Sequence, residues 1–262
     1  MYNIIKQYDN LLNKFSTSNI LFGETLQHSL SDGFPIISDE LINFDNVISE
    51  LKWYLQGRVD VKTLWSMGNH SWDDILYDRY KIWTLNNNHL GLQLFTKDEF
   101  IKTIKEVPDF SDGWAHPGPM YGKQWRDFNG IDQLEHLVND IKNNSDKILY
   151  LSNWNTNELQ FMAHKPTHNG FQIHRDGNEL SMSLSILRCD ITSDLPHLIA
   201  LYSLFLEVLS KSVSLTANKI VINMGEVLND DLSKTINYNT NLPYLKIQSA
   251  DILNGNFKYL FK

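Results

Sequence analysis

An α+β fold is predicted by three observations on this chain. Between Val47 and Leu55, Val47, Ile48, Leu51, Tyr54 and Leu55 recur on one helical face. Strand-like runs on either side of Asp176-Gly177 read as a hairpin, because that dipeptide readily adopts the backbone of a tight turn. The longest apolar helical pattern, Pro196 to Leu209, comes next, and another strand-like run, Lys219 to Asn223, follows it.

In chain order, the first helix is predicted from about Tyr2 to Leu12, where Ile4, Ile5, Tyr8, Leu11 and Leu12 keep three-to-four spacing. Asn19 to Leu30 is mixed and β-like, and Ser31-Asp32-Gly33 is a turn. Gly57 releases the helix that carries Glu50. The stretch from Trp72 to Trp114 reads as irregular apart from a short helix around Lys97 to Ile104. Beyond Pro117-Gly118-Pro119, Ile131, Leu134, Leu137, Val138 and Ile141 outline a helix with Asp132 early in it, where the helix dipole favours an acid. Strands are predicted at Lys147 to Asn153, Asn169 to Arg175 and Leu180 to Leu187, and later at Leu245 to Gln248.

Composition narrows the function classes. A net charge of −8 and the absence of basic blocks argue against nucleic-acid binding. No apolar run reaches the roughly 20 residues a membrane span needs, and the start lacks the pattern of a secretory signal, so a cytoplasmic protein is expected. The single cysteine, Cys189, rules out an internal disulfide and reads as a buried structural thiol at a strand end. His116, His164, His174 and His197 have no regular metal-ligand spacing, and no metal is expected. Glu50 is embedded in an apolar helix face, where an ionised carboxyl is costly; a raised pKa suited to acid or base work is one reading, and pairing with a buried donor is the other.

Several separated strings occur in a consistent order over most of the chain. They are Ser31-Asp32-Gly33-Phe34-Pro35, Glu50-Leu51-Lys52-Trp53-Tyr54-Leu55-Gln56-Gly57, Gly118-Pro119-Met120-Tyr121-Gly122-Lys123-Gln124-Trp125-Arg126 and Leu151-Ser152-Asn153-Trp154-Asn155. Arg188-Cys189-Asp190, Leu195-Pro196, Ile199-Ala200, Tyr202 and Met224-Gly225-Glu226 continue the set. Together they resemble the thymidylate synthase family, including the related pyrimidine hydroxymethylases. The resemblance implies one domain over residues 1–262, built on a twisted mixed sheet packed with helices, and a homodimer formed through the sheet face. A layer of mostly apolar strands would also need its second face covered.

The family moves a one-carbon unit from methylenetetrahydrofolate to C5 of a pyrimidine nucleotide after a cysteine thiolate attacks C6. Thr167 occupies the nucleophile's place in this chain. A threonine hydroxyl needs an adjacent base, and in an extended segment the neighbouring His168 points to the opposite face. Hydrogen bonding to substrate and a purely structural hydroxyl are the other readings of Thr167. Gln27, Lys147, Ile148 and Leu187 stand where the resemblance implies phosphate-binding arginines. Arg188 is offset by one from the lost arginine; it reaches the cavity only through a bulge, and otherwise pairs with Asp190 or a chain end. Leu198, beside His197, replaces the base-reading asparagine, and Leu228 and Asp230 replace the sugar contacts.

Other positions match. Glu50 matches the catalytic glutamate and Tyr121 the tyrosine beneath the cavity. Trp72 and Asp73 match the aromatic and acid near the folate, and Asp190 matches the aspartate that grips its pterin. Each also has a structural reading. The resemblance implies a closing segment beyond Lys262, and the early end argues against folate use, so no cofactor is assigned. The expected ligand is small, with Gln27, Thr167, His168, Arg188, His197 and Asp230 as candidate contacts. The reading preferred is a transferase acting on a non-phosphorylated heterocyclic or nucleoside-like substrate and not on deoxyuridine monophosphate. A catalytically silent homologue that binds a ligand or protein, and a hydrolase of a nucleoside-like substrate using Glu50, are the alternatives.

Overall fold

A computed structural model of the chain describes residues 3–16, 18–144, 147–231 and 235–262. Tyr2, the expected start of the first helix, lies outside the described residues. The helices are α1 (Asn3–Asn13), α2 (Phe44–Leu55), α3 (Val61–Ser66), α4 (Asp73–Asn86), α5 (Lys97–Glu106), α6 (Pro108–Trp114), α7 (Gly122–Arg126), α8 (Gln133–Lys142) and α9 (Leu195–Ser212). The strands are β1 (Ile20–Ser29), β2 (Leu149–Ser152), β3 (His168–Asp176), β4 (Glu179–Asp190), β5 (Thr216–Leu228), β6 (Leu245–Asp251) and β7 (Asn256–Phe261).

Five strands form a mixed sheet in the order β1-β5-β4-β3-β2, in which β4 and β5 run parallel and the other pairs antiparallel. Strands β6 and β7 make a separate antiparallel pair. Because side chains alternate along a strand, Leu180, Met182, Leu184 and Ile186 of β4 and Ile220, Ile222 and Met224 of β5 face inward and are buried. Helix α9 is apolar nearly all round and buried along most of its length, as a helix enclosed by the core must be.

The outer face of the sheet corrects the expectation of mostly apolar strands. Gln172, Ser183 and Asn223 lie on it exposed, with Ser181 and Ser185 half-buried between them, so water satisfies much of this face in the single chain.

The region from 73 to 114 holds two helices, α4 and α6, that periodicity did not predict. In α4, Leu76 and Tyr80 are buried while Ile82, Trp83 and Leu85 are exposed, so its apolar residues form no single stripe. Its inner residues instead join an aromatic cluster in which Tyr80 meets Phe100 at 4.8 Å and Trp114 at 5.2 Å between ring centroids. Asp132, expected early in α8, is its cap: its Oδ1 accepts from the Glu135 N–H at 2.9 Å.

Tight packing sets the approach of α7 to α2. A Cβ on Gly122 would lie 2.7 Å from Tyr54 Cα, so only glycine lets the two backbones come this close. This contact brings the segment that carries Tyr121 against the face of α2 that carries Glu50 and Tyr54.

Candidate functional site

A cavity of about 570 Å³ opens between α2, the starts of α4 and α9, and the entry to β3. Among the predicted site residues, Glu50, Trp72, Tyr121, Thr167, His168 and His197 line it.

Glu50 is buried and bound on both oxygens. Its Oε1 accepts from Tyr54 Oη at 2.5 Å and Trp72 Nε1 at 3.3 Å, and its Oε2 lies 2.7 Å from His197 Nε2. Burial pushes the Glu50 carboxyl up, but the His197 charge and hydrogen bond, helped by Tyr54, outweigh it and hold the group below its ordinary value. The raised pKa read from the sequence is therefore corrected: the apolar helix face hid an imidazole partner contributed by α9. His197 responds in the opposite sense, since burial lowers its pKa and the Glu50 carboxylate more than reverses that.

Tyr121 and His168 stack under the cavity, with ring centroids 3.8 Å apart and planes at 6°. Tyr121 has φ +30°, an unfavourable conformation for a residue with a side chain, costing on the order of 1–3 kcal/mol. Its hydroxyl accepts from the Thr167 N–H at 3.2 Å and lies 3.3 Å from Thr167 Oγ1. Burial holds the Tyr121 phenol well above its usual range, so it stays protonated and cannot serve Thr167 as a base.

His168 Nδ1 meets Tyr202 Oη at 2.5 Å, and burial pushes the imidazole down to about 3, which keeps it neutral. Asn153 supports this stack by accepting from Trp125 Nε1 at 2.7 Å and donating to the His168 carbonyl at 2.8 Å. Thr167 and His168 both line the cavity because Thr167 precedes β3, and the β3–β4 register shifts between His168 and Gly170.

The remaining predicted residues lie elsewhere. Gln27 is exposed, and its backbone binds the Gln7 side chain. Arg188 is exposed and pairs across the strands with Glu226, Nε to Oε2 at 2.6 Å, instead of with Asp190. Asp230 is exposed and gives its backbone N–H to Asp190. Asp73 is buried, with Trp65 Nε1 at 2.7 Å on Oδ1 and His70 Nδ1 at 2.9 Å on Oδ2. Asp190 receives Thr192 N, Thr192 Oγ1 and Ser193 N on one oxygen and Asp230 N on the other. Those bonds overcome burial and hold its carboxyl below the ordinary value. Cys189 is buried, and burial pushes its thiol up to about 12.

Asn46, Tyr54, His164, Ser193 and Asp194 also line the cavity. Asn46 and Tyr54 were legible in retrospect, because they stand four residues before and after Glu50 on the same helical face. His164 stacks against Trp72 at 16° and 6.3 Å, a contact between distant segments that no local pattern announces.

Among the described residues, no group of three or more His, Cys, Asp or Glu side chains is arranged to hold a metal ion. No helix among them is long and apolar enough to cross a membrane.

A mixed sheet wrapped around one buried helix, with a cavity at the helix's entry, defines an α+β protein with a small-molecule-sized site. The thymidylate synthase family model matches residues 4–249, and the chain belongs to that family. It is 32% identical to the thymidylate synthase of Malacoplasma penetrans over 92% of this chain and 82% of the relative. To the thymidylate synthase of Mycoplasma genitalium it is 31% identical over 79% of this chain and 70% of the relative.

Proposed function

We propose that this chain is a divergent member of the family whose cavity takes a non-phosphorylated heterocyclic or nucleoside-like ligand, in a transferase site that does not methylate deoxyuridine monophosphate. The observation that carries this reading is the engagement of all five arginines away from the cavity. Arg58 pairs with Asp60, Arg79 donates to the His116 carbonyl, and Arg126 holds Asp132 and two backbone carbonyls. Arg175 donates to the Ile141 and Gly177 carbonyls, and Arg188 is bound to Glu226. A phosphate dianion is held best by forked guanidinium donors, and Lys165 on the cavity lining is exposed.

Reduced folate does not fit the residues that the resemblance offers it. Asp190 does not line the cavity, and its carboxylate is engaged by Thr192 and Ser193 of its own turn on Oδ1 and by the Asp230 N–H just beyond β5 on Oδ2. Asp73 is likewise taken up by Trp65 and His70, leaving Trp72 as the matched residue on the cavity.

A second reading, a catalytically silent binding protein, is favoured by Thr167, whose hydroxyl has, among the described residues, only the Tyr121 phenol as hydrogen-bond partner. The hydrolase reading is weakened by the engagement of Glu50 with three donors. A homodimer through the open sheet face is proposed as well, supported by exposed Phe22, Tyr150 and Leu187 on its strands; light scattering of the purified chain tests it.

Calorimetry with deoxyuridine monophosphate and deoxyuridine tests the ligand reading. No micromolar binding of the monophosphate is expected, and tight saturable binding of it would overturn the proposal.

A further inference from the structure

We propose that His197 is the group with which this cavity recognises its ligand, pairing with a singly charged oxyanion edge such as a ring carboxylate and giving its proton where that edge is a deprotonated lactam. This rests on the reading that the ligand carries no phosphate, and it names the chemistry that takes the phosphate's place.

The two nitrogens of His197 have separate tasks. Nε2 is tied to Glu50 at 2.7 Å. Nδ1 has no partner among the described residues and is not a sealed orphan; the side chain is 22% exposed and lines the cavity. Glu50, by contrast, has only 8% of its side chain exposed and accepts from Tyr54, Trp72 and His197, so it orients the imidazole more readily than it meets a ligand.

Lys165 also lines the cavity but is exposed to solvent, where its charge is screened, and the remaining groups facing the cavity do not supply this charge. Burial keeps the Tyr54 and Tyr121 phenols protonated and His168 neutral. Asp194, the residue just before the helix α9 that carries His197, and Glu50 are acids, and both favour the imidazolium. His164 has its Nδ1 turned to the Lys165 carbonyl at 2.8 Å. His168 and His197 thus lie in one cavity with their pKa values pushed in opposite directions, an arrangement that separates a neutral hydrogen-bonding group from an acid.

With a ring carboxylate the Nδ1–H stays on His197 as a charge-assisted hydrogen bond; with a deprotonated lactam the Nδ1–H bond of His197 breaks and an O–H bond forms on the ligand oxyanion. The electron pair stays on Nδ1, and the neutral imidazole remains hydrogen-bonded to the ionised Glu50. One imidazolium facing one anionic oxygen, with Lys165 exposed to solvent, suits a monoanion better than a phosphate dianion.

Calorimetry at pH 6 and pH 9 with uracil-6-carboxylate, uracil and uridine monophosphate tests this. The carboxylate is expected to bind at least about tenfold more tightly than uracil at pH 6, the energy of roughly one charge-assisted hydrogen bond. That preference should shrink at pH 9 and vanish in His197→Gln, which keeps a donor to Glu50 and so protects the fold; His197→Phe is the stricter variant where it folds. Uracil binding as tightly as the carboxylate, a preference that survives His197→Gln, or no binding of the carboxylate would each overturn the proposal. Tightest binding of uridine monophosphate would instead overturn the non-phosphorylated reading beneath it.

Discussion

The Glu50 carboxylate and the His197 imidazole meet at 2.7 Å across 147 residues of sequence, locking the middle of α2 to the start of α9. Each changes the other's titration. His197, raised above 6.5, contributes stability that is full below 6.5 and is lost as pH rises through its folded value. Glu50, lowered from 4.5, contributes stability that is present above 4.5 and is lost as pH falls through its folded value. The pair therefore stabilises most between pH 4.5 and 6.5.

In Glu50→Gln the counter-charge disappears while burial stays, so His197 should titrate below 6.5. Imidazole NMR titration reads this directly. Urea unfolding at pH 5.5 should show a loss of about 3–5 kcal/mol, the usual cost of breaking one side of a buried pair. An unchanged His197 titration would show that Glu50 does not control it.

His168 places its sensitivity at lower pH. Its folded pKa is about 3 against 6.5 when unfolded, so the unfolded chain takes up the proton first and stability falls as pH drops from 6.5 to 3. The slope contributed is up to about 1.4 kcal/mol per pH unit. His168→Asn, which keeps a polar atom for Tyr202, should remove that slope in unfolding curves collected across this range.

Glu207 on α9 is the opposite case among the acids. Burial alone raises its carboxyl from 4.5 to about 7, so its contribution to stability is full below 4.5 and is lost as pH rises toward and past 7. Glu207→Gln should stabilise the chain by up to about 3 kcal/mol above pH 7 and by little at pH 4, measured as unfolding midpoints at the two pH values.

Gly118→Ala should destabilise by at least about 2 kcal/mol, because the glycine has φ +83° and an added Cβ would fall 2.1 Å from the Phe161 carbonyl oxygen. The displaced backbone is the one that leads to His164 and Thr167, so ligand binding should weaken as well. A thermal melt within 1 °C of the parent would contradict the close approach.

Legibility in the sequence followed periodicity. Helices α1, α2, α8 and α9 and the β3–β4 hairpin were readable because burial on one face imposes a 3.6- or 2-residue rhythm. Helix α4 was not, since Tyr80 packs into an aromatic cluster while Ile82, Trp83 and Leu85 stay exposed. Glu50 and Tyr121 lie in the motif strings, Trp72 and Thr167 were matched by their place within the resemblance, and all four line the cavity. Arg188, Gln27 and Asp230 do not, because the face on which a residue of a strand or its end lies depends on register and bulges that the strings do not encode.

By itself the sequence determined the family, the α+β class and the presence of a carboxylate on an apolar helix face, since these rest on local pattern and residue identity. The tertiary structure decided what that carboxylate is. Only when α9 packs against α2 does His197 come within hydrogen-bond reach of Glu50, and a charge 2.7 Å away outweighs the burial that the helix face alone would predict.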